Sequence, residues 1–124
     1  MTEIVLSALA HTWLVDLDGT VFVHNGHLYG EDRLAPGVAG FWACIPPGDV
    51  IVLLSAREEA ARSATLAALK REGLRYDHVL FGLPKGERVL INDGKPGGLV
   101  TALAVPVARD AGLTDLSVTI DASL

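Results

Sequence analysis

The run "TWLVDLDGT", residues 12 to 20, constrains this chain more than any other feature. Its first part is short, continuous and apolar, which reads as a buried strand. Asp16 closes that strand, Asp18 follows two residues on, and Gly19 and Thr20 complete the turn. In open α/β sheets, ligands sit beyond the carboxyl ends of the strands. A D-x-D pair placed there points to chemistry. The structural alternative, that the two acids only turn the chain and cap a helix, fits poorly with a buried strand running directly into them.

The rest of the chain supplies the partners such a strand needs. "DVIVLL" (49 to 54) predicts a second buried strand, "DHVLF" a third, "RVLIN" (88 to 92) a fourth and "ALAVPV" (102 to 107) a fifth, with "LSVTI" as an edge strand. "APGVAGFWACI" predicts a short helix started by Pro36 and stopped by Pro46 and Pro47. "REEAARSATLAALKREG" predicts the longest helix, acidic early, basic late and ended by Gly73. "VFVHNGHLYG" predicts a small flap hairpin with "NG" at its tip. Strands alternating with helices give an α/β fold, a Rossmann-like parallel sheet flanked by helices in one domain spanning residues 1–124. Trp13, Phe41 and Trp42 read as core.

Three of these strands end in polar residues: Asp16 and Asp18, then Ser55, then Asn92 and Asp93. Adjacent parallel strands would bring Asp16, Asp18, Ser55 and Asp93 to one edge. Clustered carboxylates repel unless a cation neutralises them. An all-oxygen set with few dedicated ligands suits Mg²⁺, which keeps several waters. A carboxylate beside Mg²⁺ can attack phosphorus, and a second can serve as acid and base.

"DLDGT", then "VLLSAR", then a lysine and "VLIND", resembles the haloacid dehalogenase superfamily of phosphotransferases, over residues 12 to 93. The resemblance implies a Mg²⁺-dependent phosphomonoester hydrolase acting through an aspartyl phosphate, with a sugar phosphate as the expected substrate. It implies Asp16 as nucleophile and metal ligand, and Asp18 as acid/base with its carbonyl on the metal. Gly19, Thr20 and Ser55 would hold phosphate, and Asp93 would complete the metal site. Asn92 stands where many relatives carry a second acid. The expected lysine is Lys85 by motif order. The short connection of residues 82 to 87 leaves Lys85 below the catalytic edge and puts Lys95 within reach instead, so both stay open. The alternative function is an inactive binding or regulatory domain that keeps the fold.

Other readings of single residues compete with these. "SARE" fits a capping box, so Ser55 also reads as a helix cap. Arg57 reads equally as a surface arginine, and His24 and His27 as exposed loop histidines. Cys44, the one cysteine, lies between apolar neighbours and reads as a buried, inert thiol in a reducing cytoplasm.

Composition adds exclusions. Apolar runs are far short of the ~20 residues that span a bilayer, and "MTEIVLSALAH" lacks the basic front of a signal peptide, so no membrane partner is expected. The net charge of −5 argues against a broad basic face for nucleic acid. The intervals from Asp18 to Ser55 and from Ser55 to Lys85 are filled by predicted elements, leaving no room for a cap domain of ~50 residues. An open site predicts a homo-oligomer whose neighbour shields a phosphorylated small molecule.

Overall fold

The computed structural model describes residues 1–124. Five strands run β1 (Thr2–Leu6), β2 (Thr12–Asp16), β3 (Val50–Leu54), β4 (His78–Leu80) and β5 (Leu116–Ile120); two helices are α1 (Val38–Ala43) and α2 (Arg62–Arg71). The strands form two parallel sheets. One has the order β2-β3-β4, the other pairs β1 with β5. The molecule is thus a small α/β protein of Rossmann-like class with few flanking helices. The expected first three strands form in register, with Asp16 opposite Leu54 at the end of one pair and Leu54 opposite Leu80 at the end of the next. "LSVTI" is also a strand. Its partner is "TEIVL" at the start of the chain, which the sequence reading did not assign.

Burial follows the helices. α1 turns Val38, Phe41 and Trp42 inward, the spacing of one helical face, and α2 does the same with Thr65, Ala68 and Leu69. Leu17, Val21, Phe22, Ile51 and Leu53 complete a fully enclosed core. Phe41 meets Trp13 edge to face at 5.8 Å. Cys44 corrects the buried-thiol reading. It follows the last residue of α1, off the face that Phe41, Trp42 and Ile45 bury, and is exposed. The strands are less buried than expected. Leu14, Val50 and Leu80 are each more than a third exposed, because no helix covers their side of the sheet.

The expected fourth and fifth strands do not form; residues 81 to 107 contain no helix or strand. A parallel strand needs a crossover of about a dozen residues or more, and the link after β4 is too short to supply one. Pro84, Gly86, Gly94, Pro96, Gly97 and Gly98 then interrupt regular structure on both sides of "RVLIN". Val89 and Ile91 consequently lie in solvent. The flap also differs from a hairpin. Asn25 takes left-handed backbone, a 3₁₀ turn spans Gly26–Leu28, and the strand-type pairing in the segment is limited to isolated bridges at Phe22.

The two sheets are joined near Asp49, just before β3. Its carboxylate accepts from the His11 amide at 3.0 Å, the His11 ring at 2.8 Å and the Trp13 indole at 2.9 Å. The other His11 nitrogen faces the Ser7 carbonyl at 3.0 Å. Both ring nitrogens thus face acceptors. Burial works to raise the Asp49 carboxyl, but hydrogen bonds from Trp13 and His11 and the His11 charge hold it below its ordinary value.

Candidate functional site

The carboxyl end of β2 delivers Asp16 into a tight turn. The Leu17 carbonyl accepts from the amides of Thr20, Val21 and Phe22, and the Gly19 amide donates to the Phe22 carbonyl at 2.7 Å. Gly19 has φ +87°, left-handed backbone that favours glycine. It is also crowded: the Cγ of Arg109 would lie 3.3 Å from a Cβ placed there. The Thr20 hydroxyl donates to Asp16 at 3.1 Å. Asp16 is about a third exposed and also accepts from Arg88 Nη1 at 3.0 Å.

Asp18 faces inward. Arg57 grips it with Nε at 3.0 Å and Nη2 at 2.8 Å, and grips Asp32 with Nη1 at 2.9 Å and Nη2 at 2.7 Å. Nη1 also donates to the Thr65 hydroxyl on α2, and the guanidinium lies over the Phe22 ring. Burial opposes the charge on Arg57, but Asp32 and Asp18 hold it protonated more firmly than an ordinary arginine. The surface reading of Arg57 is corrected: its side chain is 3% exposed. Desolvated charge needs matched partners, and here one cation serves two anions.

Ser55 ends β3 beside this pair. Its hydroxyl accepts the Arg57 amide at 3.0 Å and is almost fully enclosed. It caps a turn and not the long helix, which begins only at Arg62 after a 3₁₀ turn at Glu59–Ala61. The structure therefore gathers Asp16, Asp18, Gly19, Thr20 and Ser55 at one sheet edge. It leaves Lys85, Asp93 and Lys95 exposed on the irregular segment. Asn92 and Asp93 are engaged locally by Thr101. The cation on Asp16 is Arg88, not either lysine.

Of the residues expected to hold Mg²⁺, Asp16 accepts from Thr20 and Arg88, the Asp18 carbonyl accepts no backbone hydrogen bond, and Asp93 lies exposed on the irregular segment. One or two carboxylates suffice for an ion that keeps its waters. Asp18, His27 and Asp32 form another close group, with ligand atoms within 4.8 Å of one another. Their four carboxylate oxygens already face Arg57. The His27 Nδ1 atom is shielded, lacks a hydrogen-bond partner and stands 3.9 Å from Asp18. The histidines of the flap are thus partly enclosed against the acidic turn, not free in solvent as first read.

Sequence reasoning missed Asp32, Arg88 and the Arg109–Asp110 turn. Asp110 donates its amide to the Gly19 carbonyl at 2.8 Å and accepts the His24 amide at 2.7 Å. No local pattern marks these residues. Arg88, Arg109 and Asp110 reach the site only because the chain returns to it after β4, and Asp32 is held there by Arg57.

Fold and site together define an α/β protein with an acidic, arginine-flanked turn at the end of a parallel sheet. No family model and no curated protein matches the chain. Two solved structures do. A chain of the Pnkp1/Rnl/Hen1 complex shares 30% identity at a TM-score of 0.51, over 66% of this chain and 31% of that one. A chain of the Pnkp1/Rnl/Hen1 RNA repair complex shares 31% at the same TM-score, over 65% and 28%. The present chain spans less than a third of either neighbour.

These neighbours overturn the haloacid dehalogenase resemblance, and with it the sugar-phosphate hydrolase reading. A five-residue motif and polar strand ends were asked to specify a family, and the strand meant to carry its last motif is not formed. The neighbours also overturn the exclusion of nucleic acid and the expectation of a small-molecule substrate. Net charge averages the whole surface; it does not register the exposed Arg88 and Arg109 beside the Asp16–Gly19 turn. As for membranes, no helix is long and apolar enough to cross one.

Proposed function

We propose that this chain is an RNA-repair-related domain that engages phosphate-bearing RNA at the Asp16–Thr20 turn. The observation that carries the reading is its 30% and 31% identity, over about two thirds of its length, to chains of an RNA repair complex. The site supports it: arginines offer planar, multi-donor forks that suit phosphate, and Arg88 already stands against Asp16. We read the domain as an enzyme of phosphoryl-group chemistry on RNA. A divalent cation, Mg²⁺ by the oxygen ligands on offer, would be held by Asp16 and the Asp18 carbonyl. When bound, it would supply charge neutralisation at an RNA phosphate.

A second reading, a binding module without catalysis, draws support from Arg57. That residue donates to both oxygens of Asp18 and fixes the carboxylate in an ion pair, turned away from a role in proton transfer.

Fluorescence anisotropy with a labelled single-stranded RNA bearing a terminal phosphate tests the reading. Binding should weaken steeply with salt, as phosphate contacts require. Absence of binding at low ionic strength overturns it. Mass spectrometry of the same RNA after incubation with Mg²⁺ then separates the two forms. A changed end group that is lost in Asp16→Asn supports the enzyme, and an unchanged end group supports the binding module.

A further inference from the structure

Beside the acidic turn, the connection through residues 23–33 folds around an open cleft of about 460 Å³, within the range of ligand sites. Its walls include His24, Tyr29, Glu31 and Arg33. Tyr29 is 88% exposed. A large aromatic held in water at the rim of a cleft has a face free for a partner.

The cleft is held from three sides. Val23 donates its amide to the Arg33 carbonyl at 2.9 Å, and Ala35 donates to the Val21 carbonyl at 2.8 Å. Asp32, between the cleft residues Glu31 and Arg33, is locked by Arg57. Asp110 accepts the His24 amide and donates to Gly19. Such a site loses little freedom when it binds.

Its position is specific. His24 Cβ and Arg109 Nε both lie 3.9 Å from the point where Gly19 would carry a Cβ, and Arg109 Cγ lies 3.3 Å from it. The cleft, the Arg109 side chain and the acidic turn therefore meet at Gly19. Arg109 is exposed and makes no ion pair, unlike Arg57 and Arg88. Its guanidinium remains available to an outside anion.

Resting on the RNA reading above, we infer that this cleft takes a nucleobase of single-stranded RNA while Arg109 holds an adjoining phosphate. The chemistry is complementary. A splayed base stacks on Tyr29, and its edges meet an acceptor from Glu31 and donors from Arg33. A base paired inside a duplex cannot offer its face this way.

The test is anisotropy with the full chain and three probes: a single-stranded oligouridylate with a terminal phosphate, the same oligomer with abasic sugars, and a duplex of equal length. The base-bearing single strand should bind tightest. Tyr29→Ala should weaken it roughly tenfold, the scale of one base–aromatic stack, and Tyr29→Trp should retain it. Arg109→Ala should lower the slope of log affinity against log salt by about one, the signature of one lost phosphate contact. Both side chains stand in solvent, so folding is not at issue. Wild-type binding that is unchanged by Tyr29→Ala, or equal for the abasic strand, overturns the cleft and leaves the RNA reading standing. No binding of any probe overturns both.

Discussion

Arg57 and Asp18 share two parallel hydrogen bonds, of 3.0 and 2.8 Å, and this pairing fixes the second acid of the D-x-D turn. The same guanidinium holds Asp32 in the flap connection and Thr65 on α2. One buried cation thereby joins the ends of β2 and β3, the flap and a helix. A residue with that many dependants is structural before it is anything else.

Arg57→Ala should destabilise the fold by about 3–5 kcal/mol, since it strands Asp32 and Asp18 without their cation. The double variant with Asp32→Asn should recover part of the loss. Urea unfolding midpoints of the two proteins measure this; an effect below about 1 kcal/mol would show that the network carries little.

Stability should fall in acid through Asp49. Its folded pKa lies below its ordinary value of 3.8, so it contributes stability above that value and loses it as pH falls through the folded pKa. Thermal melts of wild type and Asp49→Asn from pH 6 downward should converge below about pH 4. Curves that stay parallel throughout contradict the assignment.

Gly112→Ala should cost about 2–4 kcal/mol. The residue has φ +82°, and an added Cβ would stand 2.0 Å from the Pro36 carbonyl oxygen. Backbone on that side cannot step aside cheaply, because the Leu113 amide is bonded to the same oxygen. Gly86→Ala, which meets nothing within 4 Å, should be nearly neutral. Denaturant titration of both separates steric cost from a generic glycine effect.

Mg²⁺ should bind at Asp16 and not in the Asp18–His27–Asp32 group. Calorimetric titration should show binding lost in Asp16→Asn and retained in His27→Ala. Arg88→Ala should tighten it, because the ion no longer competes with a guanidinium for the same carboxylate. Loss in His27→Ala alone would move the metal to the inner group.

The strand from Thr12 to Asp16, the turn after it and the strand ending before Ser55 were legible because their signals are local. An apolar run needs only neighbours of its own kind, and a glycine at φ +87° needs only its own missing Cβ. The outcome for "RVLIN" was not legible. Its composition is that of a strand, but a strand also requires an open sheet edge and a long enough crossover. The link after β4 denies it that, and Val89 and Ile91 remain in solvent.

What the sequence by itself determined is the parallel α/β framework and the acidic turn at its edge, since both follow from periodicity and the chemistry of adjacent residues. Which charges meet that turn was decided only by the tertiary structure. Arg88 reaches Asp16 across 72 positions, and Asp110 reaches His24 across 86. Arg57 chooses Asp18 and Asp32 because burial leaves it no water to pair with. Sequence distance carries no information about such pairings. They are set by where the chain returns, and by the cost of leaving a desolvated charge alone.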